Sequence, residues 1–217
     1  DKPDKGIWEI RKEEKHFTFS KVLCWVAVNR AAKIAKIIKK KQYIDEWQLL
    51  ASRIKLDIRK KAWNRKVQSY TQYYGSDDLD ASNLLMENYG FIQADDSRYI
   101  KTVKAIEKEL SRDGLMYRYK NKDDFGLPKS SFTVCSFWLI NSLHAIGERK
   151  KAKQLFQRIL TYGNHLGLYS EDIDFETKRL LGNFPQAYSH LALIETAITL
   201  NKGRITKNEE ILTAIHN

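Results

Sequence analysis

Glu9 and Glu171 stand in two short segments, G-I-W-E-I-R over Gly6–Arg11 and G-L-Y-S-E-D-I-D over Gly167–Asp174. Each glutamate lies among glycines, aromatics and small polar residues, beside a strongly helical stretch. One protonated carboxyl and one ionised carboxylate are the minimum equipment for cleaving a glycosidic bond: the first protonates the leaving oxygen and the second acts from the opposite side. Trp8 precedes Glu9, and an adjacent indole lowers the local polarity, which suits a general acid. Each segment also has a plainer description. Glu9 fits an exposed loop acid, and Glu171 fits a solvated acidic loop that caps a following helix or holds a cation.

Other chemistries find little support. His16, His144, His165, His190 and His216 show no metal-ligand spacing, and the glycines are scattered singly, so no phosphate-cradling loop forms. Neither a Ser-His-Asp nor a Cys-His constellation can be told from chance in the chain. No metal and no cofactor are expected. Trp8, Tyr117, Tyr119, Phe132, Tyr169 and Phe184 flank the polar loops, where an aromatic either stacks on a sugar face or belongs to the core.

Apolar periodicity predicts helices over His16–Lys41, Ile44–Trp63, Asp80–Tyr89 with Asp80 as N-cap, Ser97–Leu110, Phe132–Ile146, Lys150–Leu160 and Phe184–Leu200, the last ending near Gly203 before a frayed helical tail. The first carries a stripe of Phe19, Leu23, Val26, Ala27, Ala31, Ile34 and Ile38. Val67–Gly75 reads as loop or short strand, Gly114–Tyr119 as a small strand, and Lys120–Ser131 as a polar loop. The reactive-looking residues all fall in loops between helices. A ring of helical hairpins gathers alternate loops at one end.

Composition agrees with a helical globular chain of one domain's length. Only three prolines and ten glycines in 217 residues are too few for a sandwich of many short strands. The formal charge of +11 sits largely in helical runs such as Lys33, Lys36, Lys39, Lys40 and Lys41, a spacing that faces water. No nucleic-acid module accompanies it, so neither a nucleic-acid partner nor, for want of a long apolar run, a membrane partner is expected. Cys24 and Cys135 lie in apolar, aromatic runs and are expected as buried free thiols. A cytoplasmic location is expected; no signal peptide opens the chain, although it starts at Asp1 without Met.

In order along the chain stand D-K-G-I-W-E-I-R, H-F-T-F-S-K-V-L-C-W-V-A, S-D-D-L-D-A-S, G-F-I-Q-A-D-D-S-R, T-V-K-A-I-E-K-E-L, G-L-M-Y-R-Y, D-D-F-G-L-P, C-S-F-W-L-I, G-L-Y-S-E-D-I-D and L-G-N-F-P-Q-A-Y-S-H. From Asp4 to about Leu200 this series resembles the C-terminal half of the inverting glycoside hydrolases that include the glucoamylases and the glucoamylase-related bacterial trehalases. The resemblance implies an all-α fold, the C-terminal portion (about seven helices) of an (α/α)6 toroid, with an active site in the loops at one mouth. It makes Glu9 the general acid and Glu171 the general base, with carboxyls roughly 6.5–9.5 Å apart to admit water and an inverted product. Arg118 would bind a sugar hydroxyl, Trp8 would line the subsite at the cleaved bond, and Arg11 would bind substrate or orient Glu9.

Within that family residues 1–217 correspond to the C-terminal part of the catalytic domain. The earlier helices, with an Arg-Asp pair that grips the terminal sugar, and the β-sandwich that usually precedes them have no counterpart here. The missing N-terminal half is therefore expected to be required. Lys129-Ser130-Ser131 replaces acidic and glycine residues of some relatives, whereas D-D-F-G-L-P fits the bacterial branch. The implied activity is exo-acting release of glucose from α-1,4-linked glucan or maltooligosaccharide. Trehalose is the alternative substrate, and a non-catalytic carbohydrate-binding or regulatory relative is the alternative of another class.

Overall fold

The computed structural model describes residues 2–124 and 126–216, with side chains as far as residue 201. The chain divides into two compact units, one of Asp1–Leu110 and Tyr117–Pro128, the other of Ser111–Met116 and Lys129–Asn217. Among the described residues six α-helices and one 3-10 helix carry the fold, and every strand is two residues long. The all-α expectation holds. No helix among the described residues is long and apolar enough to cross a membrane.

In the first unit α1 (Thr18–Ile37) packs against α2 (Lys41–Lys61). The expected helix runs to Lys41 because no glycine marks an earlier end, but Lys39 takes the left-handed conformation at φ 59°. Lys40 N–H then donates to Ala35 C=O at 2.8 Å and Lys39 N–H to Lys36 C=O at 3.3 Å, the Schellman pattern that closes a helix. The buried face of α1 is also turned from the expected stripe. Phe19, Val22, Trp25, Val26, Ala32 and Ala35 point inward, while Ile34 and Ile38 are 55% and 58% exposed. Trp25 decides this: its large ring takes the inward position, edge-on to Phe91 with centroids 5.2 Å apart. Its neighbour Cys24 therefore faces out, so of the two thiols only Cys135 is buried as expected.

β1 (Trp63–Asn64) and β2 (Ser69–Tyr70) form a small antiparallel pair. The segment Ala81–Met86 is a 3-10 helix, shorter than the helix expected over Asp80–Tyr89, with Asp80 at its N-cap as expected, accepting from Ser82 N–H. α3 (Ser97–Leu110) buries Tyr99, Thr102, Val103, Ile106 and Leu110, one face of a 3.6-residue period, as the sequence predicts.

In the second unit β3 (Ser111–Arg112) and β4 (Leu115–Met116) make a hairpin around Asp113-Gly114, both at positive φ. An Asp-Gly pair suits a two-residue turn of this kind. β5 (Ser131–Phe132) leads into α4 (Thr133–Ala145), the most apolar helix, which buries Val134, Cys135, Phe137, Leu139, Ile140 and Leu143. α5 (Arg149–Leu160) and α6 (Ala187–His216) both pack on α4. Between them β6 (Asp172–Ile173) pairs with β5 on one side and with β7 (Leu180–Leu181) on the other. α6 runs on past Gly203 as one helix. A glycine weakens a helix interior by about 1 kcal/mol but stops a helix only where it turns left-handed.

Candidate active site

Residues 4–17 close a loop that sets Glu9 in an uncommon conformation. Asp4 and Lys15 bridge the loop's ends, each N–H meeting the other's C=O at 2.9 and 3.0 Å. The Asp4 carboxylate accepts from Gly6 N–H at 2.7 Å, Ser20 Oγ at 2.7 Å and Lys21 Nζ at 3.1 Å. Burial would raise the Asp4 carboxyl, yet Ser20, Gly6 and Lys21 together hold it below the usual carboxylate range. Gly6, at φ 72°, lies on the Phe17 ring; a Cβ there would stand 3.0 Å from Phe17 Cγ, a tight contact on a left-handed backbone that favours glycine. Gly6 C=O accepts from Glu9 N–H at 3.2 Å, and Lys5 C=O accepts from Ile10 N–H at 3.1 Å. Glu9 itself is exposed and sits at φ 51°. An acidic side chain held in the left-handed region costs on the order of 1–2 kcal/mol and persists only where its neighbours enforce it.

Those neighbours are Trp8 and Ile10. Ile10 is buried with Phe17 and Tyr119, and Trp8 and Tyr73 pack against the group. The Trp8 ring meets Tyr119 edge-on, with centroids 6.2 Å apart. Trp8 Nε1 donates to both oxygens of Asp80, at 2.9 and 3.1 Å. Arg11 has its backbone N–H on Asp124 Oδ2 at 2.6 Å, so the main chain at this position is tied to the D-D-F-G-L-P segment.

Arg118 lies in the same unit. Its Nη2 donates to Asp123 Oδ2 at 3.2 Å and its guanidinium lies over the Tyr119 ring at 5.1 Å. Tyr119 Oη donates to the same Asp123 oxygen at 2.7 Å. Burial, then this hydrogen bond, pushes the Tyr119 phenol above its usual range, so it stays a donor. Asp123 thus orients Arg118 and Tyr119 together. Trp8, Glu9 and Arg118 are joined through Tyr119, Asp80 and Asp123 within the first unit.

Glu171 belongs to the second unit, at the head of β6. Its C=O accepts from Thr133 N–H at 2.9 Å, and its N–H donates to Asn183 C=O at 2.9 Å, so its backbone is fixed from both flanking segments. Asn183 returns the contact: its N–H and its Nδ2 donate to Glu171 Oε2 at 3.2 and 3.0 Å. The other acids of S-E-D-I-D have structural partners. Asp174 Oδ1 takes the N–H groups of Glu176 and Thr177 and the Thr177 hydroxyl, at 2.7–3.0 Å, and so shapes the turn before β7. Asp172 accepts from the Ser130 hydroxyl. No three His, Cys, Asp or Glu side chains among the described residues gather as a metal would need.

Asp80, Asp123, Asp124, Gly182 and Asn183 do not stand out from residue type. Each lies in or beside a quoted motif, which is the one signal that could have found them. Tyr119 and Tyr169 are core, 1% and 2% exposed, and offer no sugar-stacking face. Gly182, at φ 75°, is needed by Glu171: a Cβ there would come within 2.8 Å of Glu171 Oε2. Gly182→Ala is expected to lose about 1–2 kcal/mol through the left-handed backbone alone, and to push the carboxylate off Asn183. Thermal unfolding of the intact protein checks the first effect; an unchanged Tm would show that the turn relaxes freely.

The chain belongs to glycosyl hydrolases family 15, whose family model matches residues 1–198. It is 46% identical over 199 residues to a trehalase of Mycolicibacterium smegmatis, a match that covers 90% of this chain and 30% of that protein. With a trehalase of Thermoplasma volcanium the identity is 38% over 210 residues, covering 96% of this chain and 34% of the relative. The chain therefore spans about a third of the length of these curated relatives. Among solved structures it is similar to a wild-type glycosidase at a TM-score of 0.77 and 17% identity, covering 93% of this chain and 56% of the other. A bacterial glucoamylase complexed with acarbose aligns at 0.73 and 16% identity, covering 89% of this chain and 34% of that one. These likenesses show the fold, that of the glucoamylase-like toroid class.

Proposed function

We propose that this chain is the C-terminal part of a catalytic domain that hydrolyses trehalose to two glucose molecules with inversion. The 46% identity to a protein named trehalase carries the choice of substrate, ahead of the α-1,4-linked glucan that the motifs first suggest. Glu9 protonates the glycosidic oxygen while Glu171 takes a proton from the attacking water; the C–O bond to the leaving glucose breaks as the water oxygen bonds to the anomeric carbon. Arg118, oriented by Asp123, hydrogen-bonds a sugar hydroxyl, Trp8 walls the subsite at the cleaved bond, and Arg11 supports the Glu9 loop. The remainder of the protein covers faces left open here, such as Tyr188, Leu191, Ile194 and Ile198, which line one side of α6 at 48–68% exposure.

Trehalose makes the stereochemical test direct, because both its linkages are α. Inversion releases one β-glucose from the attacked ring and one α-glucose from the leaving ring. The full-length protein is expected to give equal α and β signals in the first proton NMR spectra after mixing. Only α-glucose would end the inverting mechanism. Glucose release from maltotriose but not from trehalose would restore the glucan reading, and tight sugar binding without turnover would select the regulatory one.

A further inference from the structure

Asp80 lies in the first unit, 3% exposed, at the start of the 3-10 helix. Four donor groups converge on its carboxylate. Ser82 gives its N–H at 2.8 Å and its hydroxyl at 2.6 Å to Oδ1, Gln72 Nε2 gives 2.9 Å to Oδ2, and Trp8 Nε1 spans both oxygens. The Ser82 contacts are what a helix cap requires. They do not account for Trp8, which reaches Asp80 from 72 positions away in the sequence. An indole has a single N–H. Here it is turned toward a buried carboxylate, so Trp8 meets a ligand with its ring and not as a donor.

The consequence falls on the next residue. Glu9 holds its left-handed φ of 51° between two anchored flanks. On one side Ile10 is buried against Phe17 and Tyr119; on the other, Trp8 is gripped at its nitrogen by Asp80 and touched at its ring by Tyr119. Without Asp80 the indole loses its fixed end, and the Glu9 peptide loses one of its two constraints.

We propose that Asp80 is a positioning residue for the proton donor, acting through the Trp8 indole to fix the Glu9 backbone. The inference rests on the reading of Glu9 as the general acid. It separates from a merely structural role by choice of leaving group. Trehalose needs its leaving oxygen protonated, whereas fluoride departs from α-glucosyl fluoride without a proton.

In the full-length protein Asp80→Asn replaces one carboxylate oxygen by an amide NH2, which the Ser82 hydroxyl can accept but the N–H groups of Trp8, Gln72 and Ser82 cannot. It is expected to lower kcat on trehalose by about 10²-fold, the usual effect of misplacing a reacting group by an ångström. KM should change less than kcat, and turnover of α-glucosyl fluoride should be largely spared. Trp8→Phe removes the indole donor and leaves Asp80 its Ser82 and Gln72 contacts. Its smaller ring adds a loss common to both substrates through the subsite wall, but trehalose should still fall further than the fluoride, by the same ratio as in Asp80→Asn, even if Asp80→Asn folds poorly. The double variant should lose no more than the worse single one, since both break one link. Equal losses on the two substrates, or losses that multiply in the double variant, would overturn the inference. Glu9→Gln, assayed beside them, keeps the two ideas apart. If Glu9→Gln is itself unselective, the acid assignment fails; if it is selective and the Asp80 and Trp8 variants are not, only the positioning role fails.

Discussion

Glu9→Gln is expected to lower turnover of trehalose by about 10²–10⁴-fold, the range a positioned general acid contributes, and to leave α-glucosyl fluoride a good substrate. Glutamine has the shape of glutamate and lacks only the proton to give. The loop that carries it is held by contacts the substitution does not touch: the Glu9 N–H on Gly6, the Ile10 N–H on Lys5, and Trp8 on Asp80. Folding should therefore be unchanged. Because the lost interaction forms only as the bond breaks, kcat and kcat/KM should fall together while KM stays near its parent value. Parallel losses on both substrates would remove Glu9 from the acid role.

What the chain disclosed in advance follows from which forces are local. α3 was legible because Tyr99, Thr102, Val103, Ile106 and Leu110 repeat with the helical period and Asp96 stands before it, its carboxylate accepting from Arg98 N–H at 2.8 Å. The end of α4 was legible too: Gly147 takes the left-handed turn that glycine favours. The end of α1 was not, since Lys39 occupies the same conformation with a side chain that gives no warning. The inward face of α1 is not legible either, because Trp25 competes with Leu23 and Ile34 for the core, and that contest is settled by Phe91, far along the chain.

The site shows the same division. Glu9 and Glu171 announce themselves by residue type and motif. Their supports do not, because Asp80 reads as a simple helix cap and Asn183 as a polar loop residue until the fold brings each to its partner. The hairpin of β6 and β7 that carries Glu171 is too short to show a strand period, so the segment reads as loop. Its acids nevertheless divide cleanly in three dimensions. Asp172 accepts from the Ser130 hydroxyl and Asp174 from hydroxyl and backbone groups of its own turn, whereas Glu171 is held through one oxygen by Asn183.

Glu171→Ala should differ from Glu9→Gln in one diagnostic respect. A water molecule must be activated whatever group leaves, so removal of a general base slows trehalose and α-glucosyl fluoride alike, by about 10²–10⁴-fold. The ionised carboxylate is an acceptor only, as taking a proton from water requires, and Asn183 fixes its direction by two donors on Oε2. Alanine empties that place. Azide, a nucleophile that needs no base, should then enter and restore turnover of the fluoride, giving β-glucosyl azide because attack still comes from the face opposite the leaving group. An α-azide would mean a retained configuration and a different role for this residue. Full activity of Glu171→Ala without azide would show that another group primes the water, and the two-carboxylate mechanism would lose its second member.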